Sequence, residues 1–337
     1  MRVSVIIPCF NSLEYLPLTL RSVFDQDFTD DLVDDYEIIL VDDGGSDDLA
    51  GWLADQPYPD TGGRRVRVLR QPNGGVSAAR NFGVRESSGD LIAFCDSDDL
   101  WTPSTAGHLT RCFVDDPSVG LAYGWYDVID AGGEPSGRVH RSTSQGRVWK
   151  EFVLDNPVSA SGVMVSRRAI EASGGFSENR DRFPIDVEDW ELWIRLAREW
   201  PVALVSEVIT HHRRHESNSS TDIESLELAY CHLMDVVFAD ADAEQSALRP
   251  QAQARYKMIL AWQSLNDRND PASAKSYLAD AVADVPSLRR SPGYWRLRLS
   301  TMLLGATGDR GYEAVRGLNN VARRAKERVK SIRPSID

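Results

Sequence analysis

Short apolar runs alternate with helix-like patterns through the first hundred residues of the chain. Runs rich in β-branched residues are typical of buried strands. They predict strands at Val3–Pro8, Tyr36–Val41, Arg65–Leu69 and Asp90–Cys95. Apolar residues at helical spacing predict helices from an Asn11 or Ser12 cap to Asp25, from a Ser46 or Asp47 cap to Ala54, and over Gly74–Glu86. This alternation is typical of βαβ units, so we expect a sheet of parallel strands with right-handed crossovers.

The pattern changes after residue 100 and again near residue 217. The segment between them mixes predicted strands at Val119–Ile129, Ser159–Val165 and Val202–Val208 with predicted helices at Pro103–Asp115, Arg167–Ala172 and Val187–Trp200, and has a hairpin-like turn at 131–134. From about residue 221 onward only helical patterns occur, at 222–240, 245–265, 271–285, 292–304 and 311–330. We therefore expect an α/β domain over 1–217, with halves 1–100 and 101–217, and a helical region over 218–337.

Composition and charge restrict the class of protein. The 337 residues are 42% apolar, 26% charged and 9% aromatic, as in an ordinary globular protein. A net charge of −13 argues against general binding of nucleic acid. The apolar runs are far shorter than the roughly 20 residues of a membrane-spanning helix, and the N-terminus begins directly with a strand pattern, so we expect no export. The four cysteines lack paired spacing and are expected to be reduced and buried.

Two acidic turns follow predicted strands. In Asp96-Ser97-Asp98, carboxylates one residue apart on a tight turn can converge on one hard cation, such as Mg²⁺ or Mn²⁺ held together with substrate phosphates. In Asp42-Asp43-Gly44-Gly45-Ser46, one carboxylate could accept hydrogen bonds from a base or a ribose. The alternative for both turns is a solvated acidic turn that caps the next helix.

Two helix starts add further candidate chemistry. The segment Asn73–Asn81 opens a helix with Gly74-Gly75, which lets backbone amides approach an anion and places Arg80 one turn inside. It is neither a Rossmann fingerprint nor a P-loop, because it lacks G-x-G-x-x-G and Gly-Lys-Ser/Thr. Glu188 and Asp189 begin another predicted helix, where the helix dipole keeps a carboxylate ionised. The alternative there is an ordinary helix start matched to the dipole.

Taken together, these segments resemble the glycosyltransferases of family 2, which have the GT-A fold. The resemblance is carried by Val3–Asn11, Ile39–Ser46, Asn73–Asn81, Gly89–Asp99, Ser161–Arg168, Gly174–Phe176 and Glu188-Asp189, in the order and spacing of the family. It covers about residues 3–217 and not the helical remainder. The departure from the family pattern is one extra glycine in Asp42–Ser46, where Asp-Asp-Gly-Ser is common.

The resemblance implies a fold and a set of site residues. The fold would be GT-A, an α/β nucleotide-diphospho-sugar transferase fold with a Rossmann-like mixed sheet, followed by a helical C-terminal extension. A nucleotide-binding half (1–100) would precede an acceptor-binding half (101–217). The implied nucleotide-binding residues are Pro8, Phe10 (stacking on the base), Asn11, Asp43 with Asp42 as the alternative, Arg80 and Asp96. Asp98 and His215 would ligate the metal, and Asp189 would be the general base. Glu188 and Trp190 would lie near the acceptor.

The implied reaction is an inverting sugar transfer that depends on Mn²⁺ or Mg²⁺. A nucleotide sugar, expected to be a UDP-sugar, would donate to a hydroxyl of a glycan or lipid-linked acceptor in cell-surface polysaccharide or glycoconjugate synthesis. Two other classes remain open: a nucleotidyltransferase-like enzyme and a non-catalytic protein that binds sugar nucleotides. A lysine in the Pro8–Leu13 loop would favour the nucleotidyltransferase, and that loop contains none.

The C-terminal region has the opposite charge to the rest of the chain. Residues 289–337 contain 12 basic and 4 acidic residues, whereas the preceding part has 26 basic and 47 acidic ones. Gly311–Arg333 has an amphipathic helix pattern with a basic side. We expect this helix to pack on the acidic catalytic domain, within one chain or in a homodimer. The alternative is peripheral contact with the inner face of the cell membrane, and the expected location is the cytoplasm.

Overall fold

The computed structural model describes residues 1–28, 32–58, 63–179, 187–215, 223–266 and 268–306. The chain divides into two compact units, Met1–Asn218 and Ser219–Asp337. The sequence pattern predicts its domain boundary near residue 217. The two units are described separately below.

Among the described residues of the first unit, nine strands form one sheet. They are β1 (Arg2–Cys9), β2 (Asp35–Asp42), β3 (Arg64–Arg70), β4 (Leu91–Phe94), β5 (Leu100–Trp101), β6 (Leu121–Asp130), β7 (Pro135–His140), β8 (Val163–Ser166) and β9 (Val202–Arg214). Their order is β3-β2-β1-β4-β8-β6-β9-β5, and β7 pairs with β6. Strands β1 to β4 are parallel, as predicted. Their carboxyl ends therefore share one edge, where ligands bind in sheets of this kind.

The remainder of the sheet is mixed. Strand β8 is antiparallel to both β4 and β6, whereas β6 and β9 are parallel. Strand β9 extends to Arg214, six residues beyond the predicted end at Val208, because its polar second half pairs along β6 up to Asp130. This extension brings residues 211–215 beside the turn that follows β4. The hairpin predicted at 131–134 is confirmed as the connection between β6 and β7.

Seven helices of the first unit flank this sheet within the described residues. They are α1 (Leu16–Phe24), α2 (Leu49–Ala54), α3 (Val76–Glu86), α4 (Thr105–Asp115), α5 (Trp149–Leu154), α6 (Arg167–Ser173) and α7 (Glu188–Glu199). Helix α5, with six residues, and strand β5, with two, were not predicted. Neither is long enough to display a hydrophobic period.

Two predicted helix starts are wrong. Helix α1 begins at Leu16 and not at an Asn11 or Ser12 cap. The side chain of Asn11 instead accepts a hydrogen bond from the Ser46 backbone at 2.7 Å, so it joins the loops after β1 and β2. Helix α2 is capped by Asp48 rather than by either of the two preceding residues.

The core of the first unit is built on the two central parallel strands. Val5 and Ile7 of β1 and Ile38 and Leu40 of β2 are completely buried and pack in one cluster with residues of α1 and α4. Helix α3 lies so close to the other face of β1 that a Cβ on Gly83 would be only 2.5 Å from Ile6 Cγ2. The absence of a side chain at Gly83 permits this approach. This close approach sets the position of the first turns of α3, which carry a site residue.

The second unit is helical throughout its described residues, as predicted. Its helices are α8 (Ile223–Val237), α9 (Ala243–Ser246), α10 (Arg249–Asn266), α11 (Pro271–Asp284) and α12 (292–306). Ala261 and Leu265 of α10, Leu278 of α11 and Leu297 of α12 meet in one buried cluster. The helix predicted at 311–330 lies outside the described residues. No helix of the described residues has the length and apolar character needed to cross a membrane.

All four cysteines are free, as expected. Cys9 and Cys95 are buried at the ends of their strands, whereas Cys112 is only half-buried. The expectation of burial is wrong for Cys231, which is exposed on α8.

Candidate active site

The acidic turn after β4 is held in place by two distant elements. Asp99 is 1% exposed, and its carboxylate accepts hydrogen bonds from Ser161 Oγ at 2.6 Å and from the Arg213 backbone at 2.8 Å. Ser161 Oγ also accepts from the Asp96 backbone at 2.9 Å. Asp99 therefore fixes the conformation of this turn. The carboxylate of the preceding Asp98 takes no part in these hydrogen bonds and lies at the candidate site.

Asp98 and His215 meet at the carboxyl edge of the sheet. His215 Nε2 lies 2.8 Å from Asp98 Oδ2, and the imidazole stacks on Tyr15 with ring centroids 4.9 Å apart. Burial, together with the carboxylates of Asp99 and Asp96, raises the pKa of Asp98 to about 6, while His215 acts in the opposite direction. Concentrated negative charge of this kind favours a cation. The structure therefore brings together both residues that the sequence assigns to a metal.

Arg80 joins this turn to the start of helix α7. Its guanidinium is buried and lies 2.7 Å from Asp96 Oδ1 and 2.9 Å from Glu188 Oε1. It also lies over the Phe176 ring, 5.2 Å from the centroid. Burial would lower the pKa of Arg80, but the carboxylates of Asp96, Glu188 and Asp189 raise it further above its ordinary value. Arg80 therefore carries a permanent positive charge between the carboxylate of the turn after β4 and the carboxylates at the start of α7.

Asp189 lies in the first turn of α7, immediately after Glu188. It is half-buried, and its Oδ1 accepts a hydrogen bond from the Trp190 backbone at 2.5 Å. Trp190 itself is 3% exposed and donates its indole N–H to the Phe152 carbonyl at 2.7 Å. The structure thus places Trp190 in the interior, where it fixes the start of α7 against α5.

In the second acidic turn, after β2, each of the two carboxylates accepts hydrogen bonds from the backbone of a different loop. Asp42 accepts from the backbones of Gly44 and Gly45 at 3.1 Å each, which closes its own turn. Asp43 accepts from the backbones of Gly74 and Gly75 at 2.8 Å each, which ties it to the glycine turn before α3. Both side chains are buried and lie at the carboxyl edge of the sheet.

The glycines of this turn let it lie directly against the neighbouring loop. Gly44 has a φ of +76°, and a Cβ there would lie 2.8 Å from the Asn73 backbone nitrogen. Only glycine fits such a position without strain. The turn therefore closes directly on the loop before α3.

The end of β1 completes the candidate nucleotide side of the site. Pro8 pairs with Val41 at the end of the strand, and Phe10 follows with 54% of its surface exposed. Asn11 has a φ of +50°, a conformation that asparagine tolerates better than most residues. Its side chain accepts from both the backbone and the hydroxyl of Ser46.

Several residues that shape the site were not predicted. Asp99 could not be distinguished from Asp98 by sequence, since both follow the same strand. His212 lies 3.3 Å from Asp99, and although burial opposes it, the charge of Asp99 helps to raise the pKa of His212 to about 9. Arg213 is 1% exposed and donates to the Asp98 carbonyl at 2.8 Å. The polar run 211–215 is the signal for these residues in the sequence, but its basic character does not indicate that the run continues a strand.

The side-chain donors for a metal are few. Within the described ranges, no group of three or more His, Cys, Asp and Glu side chains is arranged to hold an ion. The Asp98–His215 pair supplies one carboxylate and one imidazole. Two protein donors suit a cation that also takes ligands from substrate phosphates.

Comparison with known sequences identifies the same part of the chain. A sequence model of glycosyl transferase family 2 matches residues 4–174. An uncharacterized glycosyltransferase of Rickettsia felis is 30% identical over 199 residues, covering 58% of this chain and 30% of the relative. Chondroitin synthase of Escherichia coli is 26% identical over 224 residues, covering 65% and 30%. The chain thus matches less than a third of the length of these curated relatives.

Solved structures share the architecture. S. aureus TarS 1-349, crystallised with UDP-GlcNAc, matches 86% of this chain and 92% of its own, with a TM-score of 0.52 and 16% identity. The mannosyltransferase PcManGT of Pyrobaculum calidifontis, in complex with GDP-Man and Mn²⁺, matches 98% and 88%, with a TM-score of 0.57 and 16% identity. At such low identity the likeness concerns the fold alone. It confirms the expected GT-A-like mixed α/β sheet with a helical C-terminal region.

Proposed function

The chain belongs to glycosyl transferase family 2, and from that membership we propose that it transfers a sugar from a nucleoside-diphosphate donor to a hydroxyl of a glycan or lipid-linked acceptor, with inversion at the anomeric carbon. The observation that carries the proposal is the bridge through Arg80, which lies 2.7 Å from Asp96 and 2.9 Å from Glu188. It fixes the acidic turn beside the helix start that carries Asp189. A sugar bound between them would have its leaving group on one side and its attacking hydroxyl on the other.

The donor side is proposed to be the edge formed by the ends of β1 and β2. The exposed ring of Phe10 would stack on the base, beside Pro8 and Asn11. Asp43, with Asp42 behind it, would read the base edge, and Asp96 would lie at the ribose. UDP is the proposed nucleotide; TarS binds UDP-GlcNAc, whereas PcManGT binds GDP-Man, so a test must include both classes.

A divalent cation, Mn²⁺ or Mg²⁺, is proposed to bind at Asp98 and His215. The fit rests on this chain's own geometry, because the two donor atoms converge within 2.8 Å and Asp98 lies among other carboxylates. Carboxylate oxygens suit both Mn²⁺ and Mg²⁺. When bound, the cation would offset the negative charge that develops on the diphosphate as it leaves.

Asp189 is proposed as the general base. Its carboxylate would accept the proton of the acceptor hydroxyl while that oxygen forms a bond to the anomeric carbon. The bond from the anomeric carbon to the diphosphate oxygen breaks in the same step, and the nucleoside diphosphate leaves. Positioned base catalysis of this kind contributes about 10²–10⁴-fold to a rate.

The acceptor is proposed to be a glycan or a lipid-linked glycan of a cell-surface polymer. The similarity to chondroitin synthase supports a polysaccharide acceptor. The acceptor would approach from α7, where Glu188 and Asp189 lie.

A donor panel with product stereochemistry tests the proposal. The full chain would be incubated with UDP-, GDP- and dTDP-sugars, with Mn²⁺, with Mg²⁺ or with EDTA, and nucleoside diphosphate release would be measured with and without oligosaccharide acceptors. We expect release from one donor class, stimulated by metal, and an inverted anomeric configuration in the product by NMR. A product of retained configuration would contradict the single displacement, and release of monophosphate would contradict sugar transfer from a diphosphate.

A further inference from the structure

Helix α12 presents an apolar stripe to solvent. Trp295, Leu299 and Met302 are 47%, 59% and 61% exposed. Their spacing of four and then three residues places them on one face of a helix. Single exposed apolar residues are common on protein surfaces, but three large neighbouring ones indicate a surface that contacts another protein or a membrane.

The stripe is not needed to hold α12 in the second unit. Tyr294, Leu297 and Leu304 lie in the buried cluster with residues of α10 and α11. At about 100° per residue, these positions face away from the stripe. The helix therefore has two apolar faces, of which one packs within the unit and the other does not.

Arginine is the only charged residue type in the segment that carries the stripe. The segment 286–306 contains Arg289, Arg290, Arg296 and Arg298 and no acidic residue. All four are exposed, and within the described part of the chain none of them forms an ion pair. Arg298 instead donates to Tyr294 Oη at 3.0 Å and lies 5.3 Å from the Trp295 ring. By helical spacing, Arg296 and Arg298 fall on opposite borders of the stripe.

We propose that this face of α12, comprising Trp295, Leu299 and Met302 with Arg296 and Arg298 at its borders, docks on an anionic lipid membrane. The apolar side chains would enter the boundary between headgroups and acyl chains, where tryptophan is favoured, and the arginines would contact lipid phosphates. Each arginine near such a surface contributes about 1 kcal/mol, or about fivefold in affinity. The surface lies in the second unit and does not depend on the proposed transfer reaction.

Charge selects the membrane over a second copy of the chain. A twofold dimer through this face would set Arg296 and Arg298 against their own copies, because an isologous interface pairs a patch with itself. Residues 307–337 add eight basic and four acidic residues to the same end of the sequence. The positive charge of this segment is complementary to acidic headgroups and not to itself.

Vesicle binding by the full chain tests the proposal. The wild type should float with vesicles of phosphatidylcholine containing phosphatidylglycerol and not with phosphatidylcholine alone. The triple variant Trp295→Gln, Leu299→Gln, Met302→Gln should bind at least about tenfold more weakly, because it loses the inserting side chains. Arg296→Gln with Arg298→Gln should bind about 25-fold more weakly. Leu228→Gln, which changes an apolar residue 48% exposed on α8, is the matched control and should bind as the wild type does.

Insertion is measured separately from charge. Lipids brominated near the headgroup should quench part of the tryptophan fluorescence of the wild type. Trp295→Phe should keep its vesicle binding but lose that quenched part. Absence of wild-type binding to anionic vesicles, or unchanged binding by the triple variant, would overturn the proposal. So would a dimer in light scattering that the triple variant abolishes, since it would assign the face to a second copy.

Discussion

At the scale of single residues, the acidic turn after β4 contains one structural carboxylate and one that is proposed to bind a metal. Asp99 is buried and accepts hydrogen bonds from Ser161 and from the Arg213 backbone. Asp98 is one residue away, partly exposed, and contacts His215. The two carboxylates are alike in sequence and differ in their partners. Substitutions at the two positions should therefore have different consequences.

Asp98→Asn should abolish the stimulation of turnover by metal while leaving the fold intact. Turnover with Mn²⁺ should fall by about 100-fold or more, because the amide is a poorer ligand than the carboxylate. Burial, together with the neighbouring carboxylates, raises the pKa of Asp98, which means that the folded state disfavours its ionised form. The thermal unfolding midpoint should therefore remain the same or rise. The measurement is a Mn²⁺ titration of nucleotide-sugar turnover beside a melting curve.

The exposed Asp115→Asn is the matched control for that variant. It should keep both turnover and metal response. If Asp98→Asn retained a wild-type response to Mn²⁺, the assignment of this carboxylate to the metal would be wrong.

Asp189→Asn should lower kcat by about 10²–10⁴-fold and leave the dissociation constant of the donor nucleotide nearly unchanged. The reason is that the proposed base acts on the acceptor hydroxyl and not on the nucleotide. Single-turnover transfer and calorimetric titration of the nucleotide measure the two quantities. A residue that only matched the helix dipole would cost about 1 kcal/mol of stability or less and spare kcat.

On the same helix, Glu199→Gln changes an exposed carboxylate at the far end of α7. Its kcat should equal that of the wild type. Equal losses in both variants would point to the helix as a whole and would refute a base at Asp189.

At the scale of elements, the parallel strands are joined by a buried carboxylate as well as by their apolar faces. Glu37 of β2 accepts from Ser4 Oγ of β1 and from the Ser88 backbone before β4, at 2.6 Å each. Arg65 and Arg67 of β3 lie within 3.5 Å of its other oxygen. One side chain therefore connects three neighbouring strands and the segment that leads into β4, at the edge opposite the candidate site.

Glu37→Gln should lower the free energy of unfolding by about 1.5–3 kcal/mol at pH 7, the usual range for hydrogen bonds to a charged group. Burial alone would raise the pKa of Glu37, but hydrogen bonds from Ser4 and Ser88 and the charge of Arg65 lower it. A lowered pKa contributes stability above the unfolded value of about 4.3, and that contribution is lost as the pH falls toward the folded value.

Urea unfolding of the wild type and Glu37→Gln between pH 7 and pH 3 measures this dependence. The difference between the two proteins should be largest at neutral pH and narrow below about pH 4.3. A difference that widens toward acid would contradict the lowered pKa.

The sequence predicted those elements that have a distinct pattern of apolar and polar residues. Strands β1 to β4 and the acidic turns behind Asp42 and Asp96 follow from short apolar runs with polar ends. The second half of β9 could not be predicted in this way. Its polar residues lie in a strand because of contacts that are distant in the sequence. The Arg213 backbone donates to Asp99, 114 residues away, and His211 contacts Asp127, 84 residues away. The role of Asp99 likewise depends on Ser161, 62 residues downstream.

At the scale of the whole molecule, the candidate chemistry lies in one unit and the basic surface in the other. Asp98, Asp189 and Arg80 belong to Met1–Asn218, whereas Arg296 and Arg298 belong to Ser219–Asp337. The acidic excess of the chain falls before residue 289 and the basic excess after it. A ligand that binds the first unit should therefore raise the stability of that unit.

UDP together with Mn²⁺ should raise the temperature at which the first unit unfolds. At a ligand concentration of 100 times Kd the expected stabilisation is about 2.7 kcal/mol, because only the folded unit binds. Differential scanning calorimetry of the full chain with UDP, GDP and inorganic diphosphate measures it. A shift by inorganic diphosphate as large as that by either nucleotide would show that the base is not recognised.

The bridge through Arg80 also has an evolutionary consequence. Positions 80, 96 and 188 come from three separate segments but share one buried charge balance. Loss of a single partner leaves a buried ion without compensation, which is strongly destabilising, whereas exchange of several together need not be. In an alignment of related chains, substitutions at these three positions should therefore co-vary, and lineages that carry only one of the changes should be rare.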